Sequence, residues 1–388
     1  MKTEINKFVT EERCIDILST LVKINTTHPN GNEMDVMKTI LSFFKNYSIT
    51  YHLIDHGENR GSLVITIPGK DASASVAFIG HVDTVPIGEP TEWSYPPFEA
   101  IIEGDYMYGR GTADMKGGVT CMIMTALHLL EQKITPAHDI LFCFTADEEA
   151  GGMGILAIKE SGYLDRVKEL IVPEPSNEKI GIAEKGALWL DITVEGLPAH
   201  GSRPELGVNA VEKFVEFTDR FKAEVDTEFT HPLLGKATIS VTKLEGGYKT
   251  NVIPDFAKAS LDIRTLPSEK NDIVIKKANK VAKELMQELE HLSIKIKVEN
   301  NRPPIETLPD HIFIKKVKRT FDELSIPVEF TGLYFYTDAS QVVPDLQIPF
   351  VIIGPGDDKM AHQRDERIQI SSIARVTEIY IRYVLDYS

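Results

Sequence analysis

Apolar positions along the chain alternate between two periods. Cys14, Ile17, Leu18, Leu21 and Val22 recur at helical spacing from Thr10 onward, and Met34 to Phe44 repeats the pattern, predicting two amphipathic helices. Short β-rich runs follow at Leu63 to Ile67, Val76 to Ile79, Ile140 to Phe144 and Leu170 to Val172, with a helix predicted from about Gly118 to Glu131. Alternation of this kind predicts an α/β domain with much parallel pairing. In such sheets ligands gather in loops beyond the carboxyl ends of the strands, so chemistry is sought there.

Near Lys185 the order changes. A strand (Ala187 to Val194), a helix (Pro204 to Val225), two strands (Ala237 to Leu244 and Phe256 to Ile263), a helix (Asn271 to Glu290) and a strand (Ser293 to Val298) follow. That βαββαβ order predicts a ferredoxin-like sandwich. The rigid stretch Asn301-Arg302-Pro303-Pro304 closes it, and a helix (His311 to Leu324), a strand (Phe350 to Ile353) and a helix (Ser371 to Tyr387) resume the first pattern. The expected division is a discontinuous first domain, 1–183 with 301–388, and an inserted domain, 184–300.

The 388 residues and their 42% hydrophobic content suit two folded domains. A surplus of 58 Asp and Glu over 42 Lys and Arg, net charge -16, argues against nucleic acid as a partner, since phosphate binding needs clustered basic residues. Most of these acids belong on a solvated surface, but carboxylates are also what divalent ions coordinate. Cys14, Cys121 and Cys143 lie far apart among apolar neighbours, so no disulfide framework is expected. The start MKTEINKFVTEER lacks an apolar core, and no run of about 18 apolar residues occurs; the expected setting is the cytoplasm, away from membranes.

Five strand-end loops hold the informative residues. In Gly80-His81-Val82-Asp83 the two-residue period turns His81 and Asp83 the same way, so the carboxylate can accept one imidazole N–H and leave the other nitrogen free for a metal. Against this stands a satisfied turn histidine. The glycine-rich Tyr108-to-Gly118 loop carries Asp114 and matches neither phosphate-loop nor dinucleotide patterns; Asp114 as a helix cap is its competing reading. Asp147-Glu148-Glu149-Ala150-Gly151-Gly152 ends an apolar strand, where acids are costly to bury unless something positive meets them, although a solvated acidic turn is the blander reading. Glu174 sits between Pro173 and Pro175, and His362 follows Gly354-Pro355-Gly356. Together these loops supply a ligand set for two zinc-like ions sharing a carboxylate.

The ordered set GHVDTVP, GRGTADMKGG, DEEAGG, EPS and AHQ resembles the dinuclear-zinc aminoacylase and carboxypeptidase family over nearly the whole chain. The resemblance implies a zinc-peptidase-type catalytic domain with a mixed, largely parallel sheet and an inserted lid and dimerisation domain. It makes His81 and His362 ligands of two Zn²⁺ ions, with Asp114 bridging, Glu149 and Glu174 completing the sites, Asp83 orienting His81 and Glu148 the general base. Cobalt or manganese could replace zinc at ligands of this type. Such a pair of ions can acidify a shared water toward about pH 7 and polarise a carbonyl, which makes amide hydrolysis the implied reaction.

The inserted domain carries further resemblances. Gly196 to Ser202 looks like the family's lid motif, in which the imidazole, here His200, reaches the partner subunit's active site of a homodimer; a surface-loop histidine is the alternative. Lys249 to Pro254, with Asn251, and Asp262-Ile263-Arg264 resemble substrate-carboxylate pieces. Arg264 suits a bidentate carboxylate contact, with packing against Asp262 as the bland alternative. The early motifs look most like those of desuccinylases and imply a small N-acylated substrate, N-succinyl-diaminopimelate, on a route to lysine. The late motifs, GPG with AHQRDE, look more like acetylornithine deacetylases, Tyr336-Thr337-Asp338-Ala339-Ser340 replaces the desuccinylase Gly-Gly-Thr-Ser-Asp loop, and Pro173 stands where many relatives have Gly. Acetylornithine deacetylation and dipeptide cleavage therefore stay open, and a noncatalytic metal-binding relative is the alternative from outside the enzymes.

Overall fold

A computed structural model describes residues 5, 7–29, 31–225 and 227–386. The chain forms two compact units, one made of 1–182, 306–331 and 337–388, the other of 183–305 with 332–336.

In the first unit the sheet runs Thr50–Gly57, Arg60–Ile67, His138–Thr145, Asp71–His81, Val167–Val172, Phe350–Ile352, Ile180–Glu184. The central four strands pair in parallel and the flanking pairs are antiparallel. Val76 to His81 are buried without alternation, as expected for a strand with neighbours on both edges and cover on both faces. Helices Glu11–Val22, Gly117–Glu131 and Ile370–Leu385 pack together. The first buries all five apolar residues singled out by their spacing and is capped by Thr10, whose hydroxyl accepts from the Arg13 amide. The last was expected to reach Tyr387, which lies outside the described residues.

The second unit has strands Gly186–Glu195, Thr238–Gly246, Phe256–Thr265 and Ser293–Arg302, with helices Ala210–Glu224 and Asn271–Glu288. In chain order the strands sit 2-3-1-4, all antiparallel, which is the ferredoxin-like arrangement the βαββαβ reading implies. Its core joins Leu188, Leu190, Ile192 and Val194 to Phe214, Phe217 and Phe221. No helix among the described residues is long and apolar enough to cross a membrane.

Close backbone approach explains two glycines beside the strand ends. A Cβ on Gly118 would lie 2.2 Å from the Pro173 carbonyl oxygen, and one on Gly354 2.1 Å from that of Glu174. Both contacts are with main chain, which cannot swing aside, so the helix start and the Gly354 turn reach the Glu174 loop only without side chains.

Candidate metal centre

His81 ends the Asp71–His81 strand with its ring buried. Its Nδ1 lies 3.0 Å from the Asp83 carbonyl oxygen and 3.7 Å from the Asp83 carboxylate. The expected carboxylate contact is therefore corrected: the main chain of Asp83 accepts the imidazole N–H. The Asp83 carboxylate instead accepts from the amides of Glu148 (3.2 Å) and Glu149 (3.1 Å), so it holds the backbone of both acids.

His81 Nε2 faces Asp114 Oδ1 at 3.1 Å and Glu174 Oε1 at 3.5 Å. His362 Nε2 faces the other oxygen, Asp114 Oδ2, at 3.3 Å and Glu149 Oε1 at 3.1 Å. One carboxylate is thus divided between two imidazoles. Asp114 is no helix cap: its side chain accepts no amide at the start of Gly117–Glu131. His81, Asp114 and Glu149 offer ligand atoms that all lie within 4.8 Å of one another.

The Asp147-Glu148-Glu149 run resolves into different roles. Asp147 meets a cation on the protein, Arg60 Nη2 at 2.9 Å, and the same guanidinium binds Glu33 at 2.8 Å. Glu148 is buried with Oε1 unpartnered, and Glu174 Oε2 is likewise buried without a hydrogen bond. Lys116 does not neutralise them, because its Nζ turns to the carbonyls of Leu21 (3.1 Å) and Ile24 (2.9 Å). Burial depresses that ammonium to about 7.

Burial, then Asp114, pushes Glu174 up to about 8, and burial raises Glu148 well above the carboxylate range. Hydrogen bonds to Asp114 and Glu149 lift His362 to about 10. Burial disfavours the charged form of His81, but contacts with Asp114 and Glu174 outweigh it and raise its pKa. Asp114 is pulled below the ordinary range by His362 and His81 despite its burial. Oxygen and imidazole donors with two unpartnered buried carboxylate oxygens among them fit a divalent-cation site.

Arg60 and Glu33 were not singled out from the sequence, and their partners lie too far along it for spacing to indicate them. Arg60→Met leaves two buried carboxylates without their cation. It is expected to destabilise the fold by about 3 to 5 kcal/mol in denaturant unfolding, and a loss below about 1 kcal/mol would contradict the role assigned to the pair.

His200, Asn251 and Arg264 belong to the second unit. His200 is exposed, with Nδ1 at 2.8 Å from the Ser202 hydroxyl, and Asn251 is exposed beside Gly201, whose amide donates to its carbonyl. Arg264 makes two contacts with Asp262, Nε to Oδ1 at 2.8 Å and Nη2 to Oδ2 at 3.1 Å, so the local pairing foreseen as its bland alternative is present.

An α/β sheet whose strand-end loops gather two imidazoles and several carboxylates around one shared carboxylate has the architecture of a metal-dependent hydrolase. The chain belongs to peptidase family M20/M25/M40, whose model matches residues 77–386. It is 30% identical over 93% of its length to a Staphylococcus aureus (strain Mu50) protein named "Probable succinyl-diaminopimelate desuccinylase", covering 97% of it. The aminopeptidase PepT of Bacillus cereus has a similar fold, at TM-score 0.78 and 21% identity over 97% of this chain and 98% of that one. The Bacillus subtilis protein YXEP, described as a dinuclear metal binding peptidase from the M20 family, follows at TM-score 0.74 and 16% identity, covering 98% and 99% of the two chains.

Proposed function

We propose that the chain hydrolyses the amide bond of a small N-acylated amino acid, with N-succinyl-LL-2,6-diaminopimelate as first substrate and succinate and diaminopimelate as products. The observation that carries this reading is the division of Asp114, one oxygen toward each imidazole. His81, Asp114 and Glu174 would hold one divalent ion and His362, Asp114 and Glu149 a second, zinc being the best match to these donors. When bound, such ions supply Lewis acidity, bringing the pKa of water toward about 7 and polarising an amide carbonyl.

Glu148 takes a proton from the water as its oxygen bonds to the carbonyl carbon. It returns that proton to the amine nitrogen as the C–N bond breaks. The unpartnered Oε1 and the grip of Asp83 on the Glu148 amide support this role, since the side chain is positioned yet unengaged. The partner subunit's His200 is the proposed partner of the oxyanion, and Arg264 with Asn251 that of the substrate carboxylate; Arg264 then shares or exchanges its contact with Asp262.

The names of relatives and the early motifs support the succinyl substrate, whereas Gly354-Pro355-Gly356 and Ala361 to Glu366 favour N-acetylornithine as the second reading. Zinc-loaded protein assayed in parallel on both compounds and on dipeptides is expected to turn over the succinyl amide fastest. Fast turnover of another amide without the succinyl one overturns the substrate, and turnover of none overturns the chemistry.

A homodimer through the second unit is part of the same proposal. Among the described residues, strand Thr238–Gly246 pairs along one edge only, and its side chains are exposed almost throughout, which leaves an edge able to accept another strand. Sedimentation is expected to give twice the 43.4 kDa chain mass, and a monomer at micromolar concentration rules this out.

A further inference from the structure

Glu366 is wholly buried, yet it carries none of the functions above. Its carboxylate receives four donors. Oε1 accepts from the amides of Ala113 (2.8 Å) and Asp114 (3.0 Å), and Oε2 accepts from the Gly111 amide (3.0 Å) and Arg110 Nη1 (2.7 Å). Three of the four are main-chain amides of the short segment that ends in Asp114, and they come from more than 250 residues away in sequence.

An acid buried only to neutralise Arg110 would need no such amides. Hydrogen bonds to an ionised acceptor are about twice as strong as neutral ones, so this carboxylate fixes the loop more firmly than a neutral side chain in the same place. Glu366 also lies on the loop that carries His362, the imidazole facing Asp114 Oδ2. One side chain therefore locks together the two loops that present the divided carboxylate and its outer imidazole. Arg110 completes the cradle: it donates to the carbonyls of Gln363 (3.2 Å) and Pro86 (3.3 Å), with its guanidinium 5.1 Å from the Trp93 ring centroid.

We infer that Glu366 is the positioning residue for Asp114, setting where both carboxylate oxygens stand and thereby the affinity of the paired-ion site. This rests on the metal-centre reading proposed above. In Glu366→Gln an amide NH₂ confronts donors that an oxygen had accepted, and the loop must rearrange.

The test is zinc affinity and stoichiometry by competition with a chromophoric chelator, with the fold followed by circular dichroism. The proteins are the parent, Glu366→Gln, Glu366→Asp and Arg110→Lys. The parent is expected to bind two ions. Glu366→Gln is expected to bind at least one of them 10- to 100-fold more weakly while remaining folded, the range found when partners behind metal ligands are removed. Glu366→Asp, with the charge but a shorter reach, should fall between. Arg110→Lys, which keeps a cation beside Oε2 but loses the forked contacts to the carbonyls of Gln363 and Pro86, should lose less zinc affinity than Glu366→Gln. In kinetics on the turned-over amide, Glu366→Gln should lower kcat more than it raises KM at saturating zinc.

Parental zinc affinity in a folded Glu366→Gln overturns the assignment. So does a loss in Arg110→Lys as large as in Glu366→Gln, or failure of both Glu366 variants to fold, since each would make Glu366 a residue of the fold alone. A parent that binds no divalent ion is a different outcome, which refutes the metal-centre reading itself.

Discussion

Glu148→Gln is expected to lower kcat by about 10²- to 10⁴-fold while the protein keeps its divalent ions. The substitution preserves shape and removes only the ability to take a proton. Asp83 grips residue 148 through the backbone amide, so the loop stays where it is, and none of His81, Asp114, Glu149, Glu174 or His362 is altered. Metal content by atomic emission and turnover on the same preparation separate the outcomes. Unchanged turnover removes Glu148 as the base, and loss of metal together with activity makes it part of the ligand set instead.

Removal of divalent ions is expected to abolish turnover and to make folding less stable, with both restored by zinc. An ion that binds only the native state stabilises it by about 2.7 kcal/mol at a concentration 100 times its dissociation constant, so the melting temperature should fall in excess chelator. The pH dependence has a definite sign. Without ions at pH 7, Glu174 with its pKa near 8 and His362 with its pKa near 10 each hold a proton. Ligands must give these up, so binding releases protons and weakens as pH falls. Between pH 8 and 10 the Glu174 contribution disappears. Calorimetry in two buffers of different ionisation enthalpy reads the release directly; zinc binding without proton release, or full activity in excess chelator, would contradict the site.

How much of this was legible in the sequence depended on whether the signal was local. The apolar runs Val76 to Ile79 and Ile140 to Phe144 announced buried parallel strands, and the motifs at their ends named the imidazoles and carboxylates that the fold brings together. Strand Thr50–Gly57 escaped notice because an edge strand largely open to solvent has no apolar run. Helix Ala339–Leu346 was hidden by Pro344 within it, a residue that argues against helix when read alone. Arg60, Arg110 and Glu366 were illegible for a different reason: each looks like ordinary surface charge until a distant partner is placed beside it. The Glu366 signal was an acid inside Ala361 to Glu366, a motif read for its histidine and for its resemblance to other deacylases. His81 and Asp83 were correctly paired, but alternation along a strand says which side chains share a face and nothing about a carbonyl oxygen as the acceptor.

The division of the first unit into separate stretches of chain bears on how the site comes into being during synthesis. Every acid of the cluster is in place by Glu174, whereas His362 and Glu366 lie beyond residue 306. A ribosome emitting roughly 5 to 20 residues each second therefore exposes the inserted unit, nearly complete by Ile305, before the chain that closes the first unit exists. For those seconds the growing protein carries the carboxylates without the loop that sets Asp114. On the proposed reading, capture of a second ion waits for the loop that carries His362, so a product truncated before that loop is expected to lack it.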